Sequence, residues 1–303
     1  MPQITILLAT FNGEKYVEQQ IESIIKQSFK DWNLIIHDDG STDNTLSIIR
    51  KWQEIDTRIK IIEDKIVFCS SAANFMHLLT FATSDFVMFC DQDDVWLENK
   101  LQVMYDVIIT KNNALPQVVY ANAEIWNADG TFNGKIPFWE PKHLRDTLFL
   151  NGGIHGCVSI FNSKILTLML EQKHTPAMHD HLLLLVGLAF GEVTYMDDVV
   201  LWFRRHPQAV TNGTEIKKSR LASLLNCANF PVIDCKHYIG VLHFYQDYNK
   251  LFNDSQRTLI ECYLSLPKMN LLCRLLKIIR YKFTHGGSRI ELLAKILTRK
   301  FID

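Results

Sequence analysis

The chain has no charge excess of either sign. Its 303 residues hold 32 Lys and Arg against 33 Asp and Glu, a net charge of −1. No whole-protein field is left to attract nucleic acid, and none is expected as a partner. A cysteine framework is also missing. Seven cysteines are scattered along the chain, an odd number, and no C-x-x-C pair occurs. That argues against a disulfide scaffold or a zinc module and predicts reduced thiols in a cytoplasmic protein. No uncharged apolar run reaches about 18 residues, so no membrane-spanning helix is expected. The first residues enter a strand-like run without a basic n-region, so no signal peptide is predicted. Neither G-x-x-x-x-G-K-[ST] nor an early G-x-G-x-x-G is present. This disfavours a P-loop and a dinucleotide oxidoreductase. Internal repeats and low-complexity segments are absent too. What remains is 48% hydrophobic composition, enough for a sizeable core and one or two domains.

Strand-like and helix-like segments alternate through the first third. Residues 4–9, 32–37, 58–63 and 86–90 read as strands, and 14–27, 43–55 and 72–83 as helices. In 14–27 the apolar positions Tyr16, Val17, Ile21, Ile24 and Ile25 keep the helical period. Ser41 or Asp43 is placed to cap the second helix. Repeated βα units predict right-handed crossovers and a mostly parallel sheet, hence an α/β fold. A helix over 97–109, a strand over 117–123 and a turn at Asp129-Gly130 follow. The glycine-dense run Asn151-Gly152-Gly153-Ile154-His155-Gly156-Cys157 precedes a strand near 158–162. Helices over 164–172 and 181–190 and a strand over 199–203 lead into Arg204-Arg205-His206-Pro207.

A boundary near 211–218 is expected to divide a domain of residues 1–212 from a helical, basic region of residues 213–303. From Lys268 onward, nine Lys or Arg face only Glu291 and Asp303, a balance of +7. Leu271, Leu272, Leu275, Leu276, Ile278 and Ile279 interleave with them. Such a basic amphipathic pattern fits a helix lying on an anionic membrane surface, or a plain solvated or partner-packed face.

The strand over 86–90 ends in Asp91, Gln92, Asp93 and Asp94. Carboxylates this dense beside an apolar strand need water, hydrogen bonds or a cation. Hard divalent ions such as Mg²⁺ take one or two carboxylates plus phosphate oxygens, and ligands of open α/β sheets bind at the carboxyl ends of strands. Asp91-Gln92-Asp93 therefore reads as a metal–phosphate site. A strand-to-helix turn, with Asp93 or Asp94 capping the next helix and Trp96 packing, is the plainer alternative. Two further strand ends decide between them: Thr10-Phe11-Asn12-Gly13 and Asp38-Asp39-Gly40-Ser41 fall on the same edge. Phe11 could stack on a base, a carboxylate could accept from a base or ribose, and Arg204 or Arg205 could fork onto phosphate.

Three segments, LLATFNGEKYVEQQIESIIKQSF, HDDGSTDNT and FCDQDDVW, in this order and spacing, resemble the family 2 inverting glycosyltransferases of the GT-A fold. The bacterial rhamnosyltransferase-like members are the nearest in kind, over roughly residues 3–210. The resemblance implies a nucleotide-sugar donor, dTDP- or UDP-linked and carrying a sugar such as L-rhamnose. It implies Mg²⁺ or Mn²⁺ and an acceptor that is a glycan or a lipid-linked precursor of a cell-surface polysaccharide. With the basic C-terminal helices, a cytoplasmic protein peripheral at the inner face of the cell membrane is expected. By position, Thr10, Phe11 and Asn12 would line the base and ribose pocket. Asp39 would bind the pyrimidine, Asp91 the ribose or metal, and Asp93 the metal. His206 would reach the metal or diphosphate. Asp180, between His179 and His181, would be the general base, although it could simply cap the helix it opens. His155 and Gly156 would face the acceptor. Relatives often carry Asn-x-Gly after the third strand, where this chain has Asp64-Lys65-Ile66. A nucleotidyltransferase and a non-catalytic assembly subunit remain as alternative readings.

Overall fold

The computed structural model describes residues 2–136, 139–150, 154–206 and 231–302. The expected boundary at 211–218, and Asn151, Gly152 and Gly153 of the glycine-dense loop, lie outside them.

Four strands form the first half of the sheet: β1 (Ile4–Thr10), β2 (Trp32–Asp38), β3 (Ile59–Ile61) and β4 (Phe86–Cys90). They lie in the order β3-β2-β1-β4 and are all parallel. Apolar residues alternate between two cores because a strand presents successive side chains to opposite faces. Leu7, Ile35, Val87 and Phe89 point to one face, and Ile6, Leu8, Ile36 and Met88 to the other. Three helices make the crossovers: α1 (Val17–Ile25), α2 (Thr45–Ile55) and α3 (Ser71–Leu79). Register pairs Thr10 with Asp38 and Leu8 with Cys90, so the carboxyl ends of β1, β2 and β4 share one edge.

Beyond β4 the sheet is mixed. The elements that follow are β5 (Val95–Trp96), α4 (Lys100–Ile108), β6 (Gln117–Trp126), β7 (Phe132–Lys135), α5 (Leu144–Thr147), β8 (Ser159–Asn162), α6 (Ser163–Leu170), α7 (His179–Phe190) and β9 (Glu192–Arg204). The order continues β4-β8-β6-β9-β5, with β7 as a hairpin partner of β6. The β4–β8, β6–β8, β6–β7 and β5–β9 pairings are antiparallel, and β6–β9 is parallel. The parallel expectation thus holds for the half that carries the strand-end motifs. Helix α7 is buried from His179 to Gly187, as an all-round apolar helix must be.

Four more helices follow: α8 (Cys235–Tyr248), α9 (Asp254–Ser265), α10 (Leu271–Tyr281) and α11 (Arg289–Thr298). Apolar residues of this region, among them Phe244, Tyr263, Leu292 and Ile296 of the helices and Phe283 between α10 and α11, belong to the same core as Phe89, Phe161 and α7. The end of the chain returns to the start of this region. Val232 N–H donates to Lys300 C=O and Ile233 N–H to Phe301 C=O, both at 2.9 Å.

Candidate active site

A cavity of about 380 Å³ opens at the shared strand edge. Thr10, Phe11, Asp39, Asp91, Asp93, His155, Gly156, Asp180 and Arg204 line it. Two expected site residues, Asn12 and His206, are not among the lining residues.

The first wall is built by local hydrogen bonds. Thr10 Oγ1 donates to Asp38 at 2.8 Å, and Asp38 also accepts from Ser41 N–H and Oγ. Asn12 has φ of +46°, a region asparagine tolerates, and its Oδ1 accepts from Thr42 N–H at 2.9 Å. It shapes the turn instead of lining the cavity. Phe11 is left 54% exposed at the rim, although water is an unfavourable neighbour for its ring. Asp39 is buried, and its two oxygens accept from Phe68 N–H at 2.5 Å and Ser70 N–H at 3.1 Å. It therefore anchors the β3–α3 loop, and its remaining lone pairs are open to a further donor.

Gln92 is a residue that sequence reasoning passed over as the middle of a D-x-D. Its Oε1 accepts from Phe11 N–H at 2.9 Å and its Nε2 donates to Phe11 C=O at 3.0 Å. A side chain on Gly13 would place its Cβ 2.3 Å from Gln92 Oε1. Glycine at 13 leaves room for the Gln92 amide to reach the Phe11 backbone.

The acidic cluster forms the floor. Burial, then the neighbouring Asp93 and Asp180 charges, push Asp91 up to about 7. Burial, then the Asp93 and Asp91 charges, raise Asp94 well above the usual carboxylate range. Asp94 is 1% exposed, and it does not cap α4, whose N-cap is Asn99. It accepts from Arg204 N–H at 3.1 Å, because pairing of β5 with β9 brings residue 204 alongside. Asp93 Oδ2 lies 2.7 Å from His206 Nε2, and the His206 ring packs on Tyr16 at 4.6 Å. The Arg204 guanidinium donates to Asp93 C=O and to Gln19 Oε1, and it lies 4.1 Å from the centre of the Trp126 ring.

Under this floor is Lys100, fully buried, which sequence reading did not single out. Its Nζ donates to Cys157 C=O at 2.5 Å and sits 3.3 Å from the Trp96 ring centre. Burial lowers it to about 8 against the pull of Cys157, Cys90, Asp94 and Asp91. Ligand atoms of Asp91, Asp94 and Cys157 also approach within 4.8 Å of one another.

The opposite wall is the start of α7. Asp180 accepts from His181 N–H at 2.7 Å and from Gly156 N–H. Burial raises it to about 6 in spite of those bonds. Its place in the first helical turn, two residues past the N-cap Met178, favours the carboxylate form. His179 and His181 diverge, as their spacing requires. His179 stacks on Phe75 at 4.0 Å, burial lowers it to about 3, and neither ring nitrogen has a hydrogen-bond partner among the described residues. His181 turns away to His237 of α8 at 4.7 Å. His155 packs near Phe203 at 5.0 Å and is held near 4 by burial. A Cβ on Gly156 would meet His179 Nε2 at 2.7 Å.

This arrangement has relatives. The family model described as Glycosyl transferase family 2 matches residues 5–167. The Escherichia coli UDP-Glc:alpha-D-GlcNAc-diphosphoundecaprenol beta-1,3-glucosyltransferase WfgD is 31% identical over 159 residues, 52% of this chain and 58% of that protein. The Shigella flexneri dTDP-rhamnosyl transferase RfbG is 36% identical over 109 residues, 35% of this chain and 38% of that protein. The chain thus spans less than two thirds of the length of either. Among solved structures, S. aureus TarS in complex with UDP-GlcNAc superposes with a TM-score of 0.59 at 16% identity, over 97% of this chain and 90% of that one. The Pyrobaculum calidifontis mannosyltransferase PcManGT, in complex with GDP-Man and Mn²⁺, gives 0.51 at 16% identity, over 97% and 79%. These two likenesses establish the fold, the GT-A arrangement expected from the sequence. The family match takes in more than half of the chain, which belongs to glycosyl transferase family 2.

Proposed function

We propose that the chain is an inverting, metal-dependent glycosyltransferase. It moves a sugar from a dTDP- or UDP-linked donor to a hydroxyl of a lipid-linked or polysaccharide acceptor. The observation that carries this reading is the opposition, across one cavity, of Asp180 on α7 and the Asp91–Asp93 floor at the end of β4. The donors in the names of WfgD and RfbG, UDP-Glc and a dTDP-rhamnosyl unit, support the donor class, and RfbG supports L-rhamnose as a candidate sugar.

Thr10 and Asp39 frame the base and ribose, Asn12 shapes the turn that carries Phe11, and Phe11 is placed to stack on the base. Asp91 and Asp93, with His206 behind, are suited to hold Mg²⁺ or Mn²⁺. A cation fits this floor: the Asp91, Asp93 and Asp94 carboxylates crowd together, and their mutual repulsion raises Asp91 and Asp94. The Cys157 thiol, raised well above its ordinary value by burial, stays protonated and is a poor ligand for a hard ion. Bound there, the ion would neutralise charge on the departing diphosphate. Asp180 takes the proton of the acceptor hydroxyl while that oxygen bonds to the sugar carbon and the carbon–phosphate-oxygen bond breaks. Base and leaving group on opposite faces give inversion. A value near 6 leaves Asp180 ionised at pH 7 and more basic than a surface carboxylate. His155 and Gly156 border the acceptor side, and Arg204 braces the floor beside the diphosphate.

Attachment to an anionic membrane surface completes the proposal. Leu271, Leu272, Leu276 and Ile279 of α10 are exposed, between 47% and 67%, beside Lys277, Arg280 and Lys282. No described helix is long and apolar enough to cross a membrane. A panel of nucleotide sugars with Mg²⁺ or Mn²⁺ tests the chemistry. Release of free nucleoside diphosphate supports glycosyl transfer. Pyrophosphate would point to a nucleotidyltransferase, and donor binding without turnover to a non-catalytic subunit.

A further inference from the structure

A second group of titratable side chains lies outside the cavity. His37 is on β2, Asp64 follows β3, and His77 is on α3. His37 Nε2 is 3.1 Å from Asp64 Oδ1, and His77 Nε2 is 2.5 Å from Asp64 Oδ2. Ligand atoms of all three lie within 4.8 Å of one another. The hydrogen bonds around them fix where one proton sits. Asn74 Nδ2 donates to His37 C=O at 3.3 Å, so its Oδ1 is the atom 2.7 Å from His37 Nδ1 and accepts from it. With the proton on Nδ1, a neutral His37 ring turns its Nε2 lone pair toward a carboxylate oxygen. Two electron-rich atoms at 3.1 Å repel unless something positive lies between them. His77 meets the other oxygen of the same carboxylate. An imidazole whose second nitrogen donates to a fixed oxygen is arranged as a metal-ligating histidine is.

We propose that His37, Asp64 and His77 bind a divalent transition-metal ion of the zinc type, with a fourth position open to solvent. Two imidazole nitrogens and one carboxylate oxygen suit that ion better than Mg²⁺ or Ca²⁺. Ligand atoms in a tetrahedral zinc site stand about 3.4 Å apart, which small rotations of Asp64 and His77 would reach. The His37 side chain is 1% exposed, while Asp64 and His77, at 27% and 18%, leave an entry path. Asp64 Oδ1 also accepts from Ile66 N–H at 3.1 Å, which orients the carboxylate toward the two imidazoles. The ion would tie β2, the β3–α3 loop and α3 together. That loop is left-handed at Lys65 (φ +62°) and Cys69 (φ +52°), and it carries the Phe68 and Ser70 N–H groups that hold Asp39. It falls where the resemblance led one to expect Asn-x-Gly.

The test uses the whole chain carrying Asp93→Asn, so that the acidic floor does not compete, after chelator stripping. Co²⁺ titration followed by visible absorption is expected to show one ion per chain with tetrahedral bands, and Zn²⁺ is expected to displace it. His77→Ala and Asp64→Asn, added singly, are expected to abolish the bands while circular dichroism stays native. Bands that survive either substitution, or no Co²⁺ binding at all, overturn the proposal and leave an added proton as the bridging charge. If the added substitutions do not fold, unfolding temperature decides for the Asp93→Asn protein. A chelator-reversible rise with Zn²⁺ supports the site, and no rise overturns it.

Discussion

Asp180→Asn separates stability from activity in a way that can be worked from the structure. Burial lifts the Asp180 carboxyl from its ordinary 3.8 to about 6. At pH 7 the folded protein holds a charge that the unfolded chain carries more easily. The gap, at 1.36 kcal/mol per pKa unit, is about 3 kcal/mol against folding. Asparagine removes that charge and keeps an oxygen to accept from the His181 and Gly156 N–H groups. The variant should therefore be more stable than wild type at pH 7, by up to about 3 kcal/mol. The sign with pH follows from the raised value. The group's contribution to wild-type stability is full below pH 3.8 and is lost as pH rises through about 6. The advantage of asparagine should then shrink as pH is lowered and vanish near pH 4. Urea unfolding of both proteins between pH 4 and 8, without divalent ions, measures this. Transfer should be abolished in the variant with donor affinity retained. In wild type, kcat/KM should fall tenfold per pH unit below about 6. An asparagine variant equally or less stable at every pH would refute the burial argument, and retained transfer would place the base elsewhere.

Lys100→Met removes a buried cation whose lowered value sets about 3 kcal/mol against folding at pH 7, more than the lost bond to Cys157 C=O, so urea unfolding should find the variant at least as stable as wild type. Gln92→Ala cuts two hydrogen bonds to Phe11, worth about 1 kcal/mol each. It should weaken donor affinity roughly tenfold and lower the unfolding temperature by a few degrees, as binding calorimetry and a thermal melt would show. Leu272→Glu with Leu276→Glu should release the protein from phosphatidylserine vesicles in co-sedimentation, and added salt should do the same to wild type. Unchanged partitioning would reject the membrane surface.

The first half of the fold was legible because each of its elements is long, periodic and locally bounded. Apolar runs for β1, β2 and β4 and the helical period of α1 need no partner to be recognised. β5 is only Val95 and Trp96, and it exists because β9, about a hundred residues later, pairs with it. Missing it led residues 97–99 to be read as helix, whereas α4 begins at Lys100. The same omission made Asp94 look like a helix-start residue. The strand-end motifs were legible as one edge because register follows from parallel pairing. Lys100 was not legible: a lysine at a helix start reads as solvated until β8 and Cys157 cover it. The His37–Asp64–His77 contacts join residues 27 and 13 positions apart on three elements, with no sequence spacing to mark them. Asp39 was legible as a site residue, but not as the anchor of a loop.

The return of the chain end to Val232 and Ile233 makes α8 to α11 topologically closed. Both termini of this segment hydrogen-bond to each other, and its side chains share a core with the central sheet. Such a segment gains or loses its structure cooperatively, as one unit. Cutting at Lys268 would strip Phe283, Leu292, Ile296 and Phe301 from that core and leave Val232 and Ile233 without partners. Truncation would then unravel the support of α7, and with it the position of Asp180, before it reported on any membrane. The basic helices and the Asp180 wall of the cavity are thermodynamically one object.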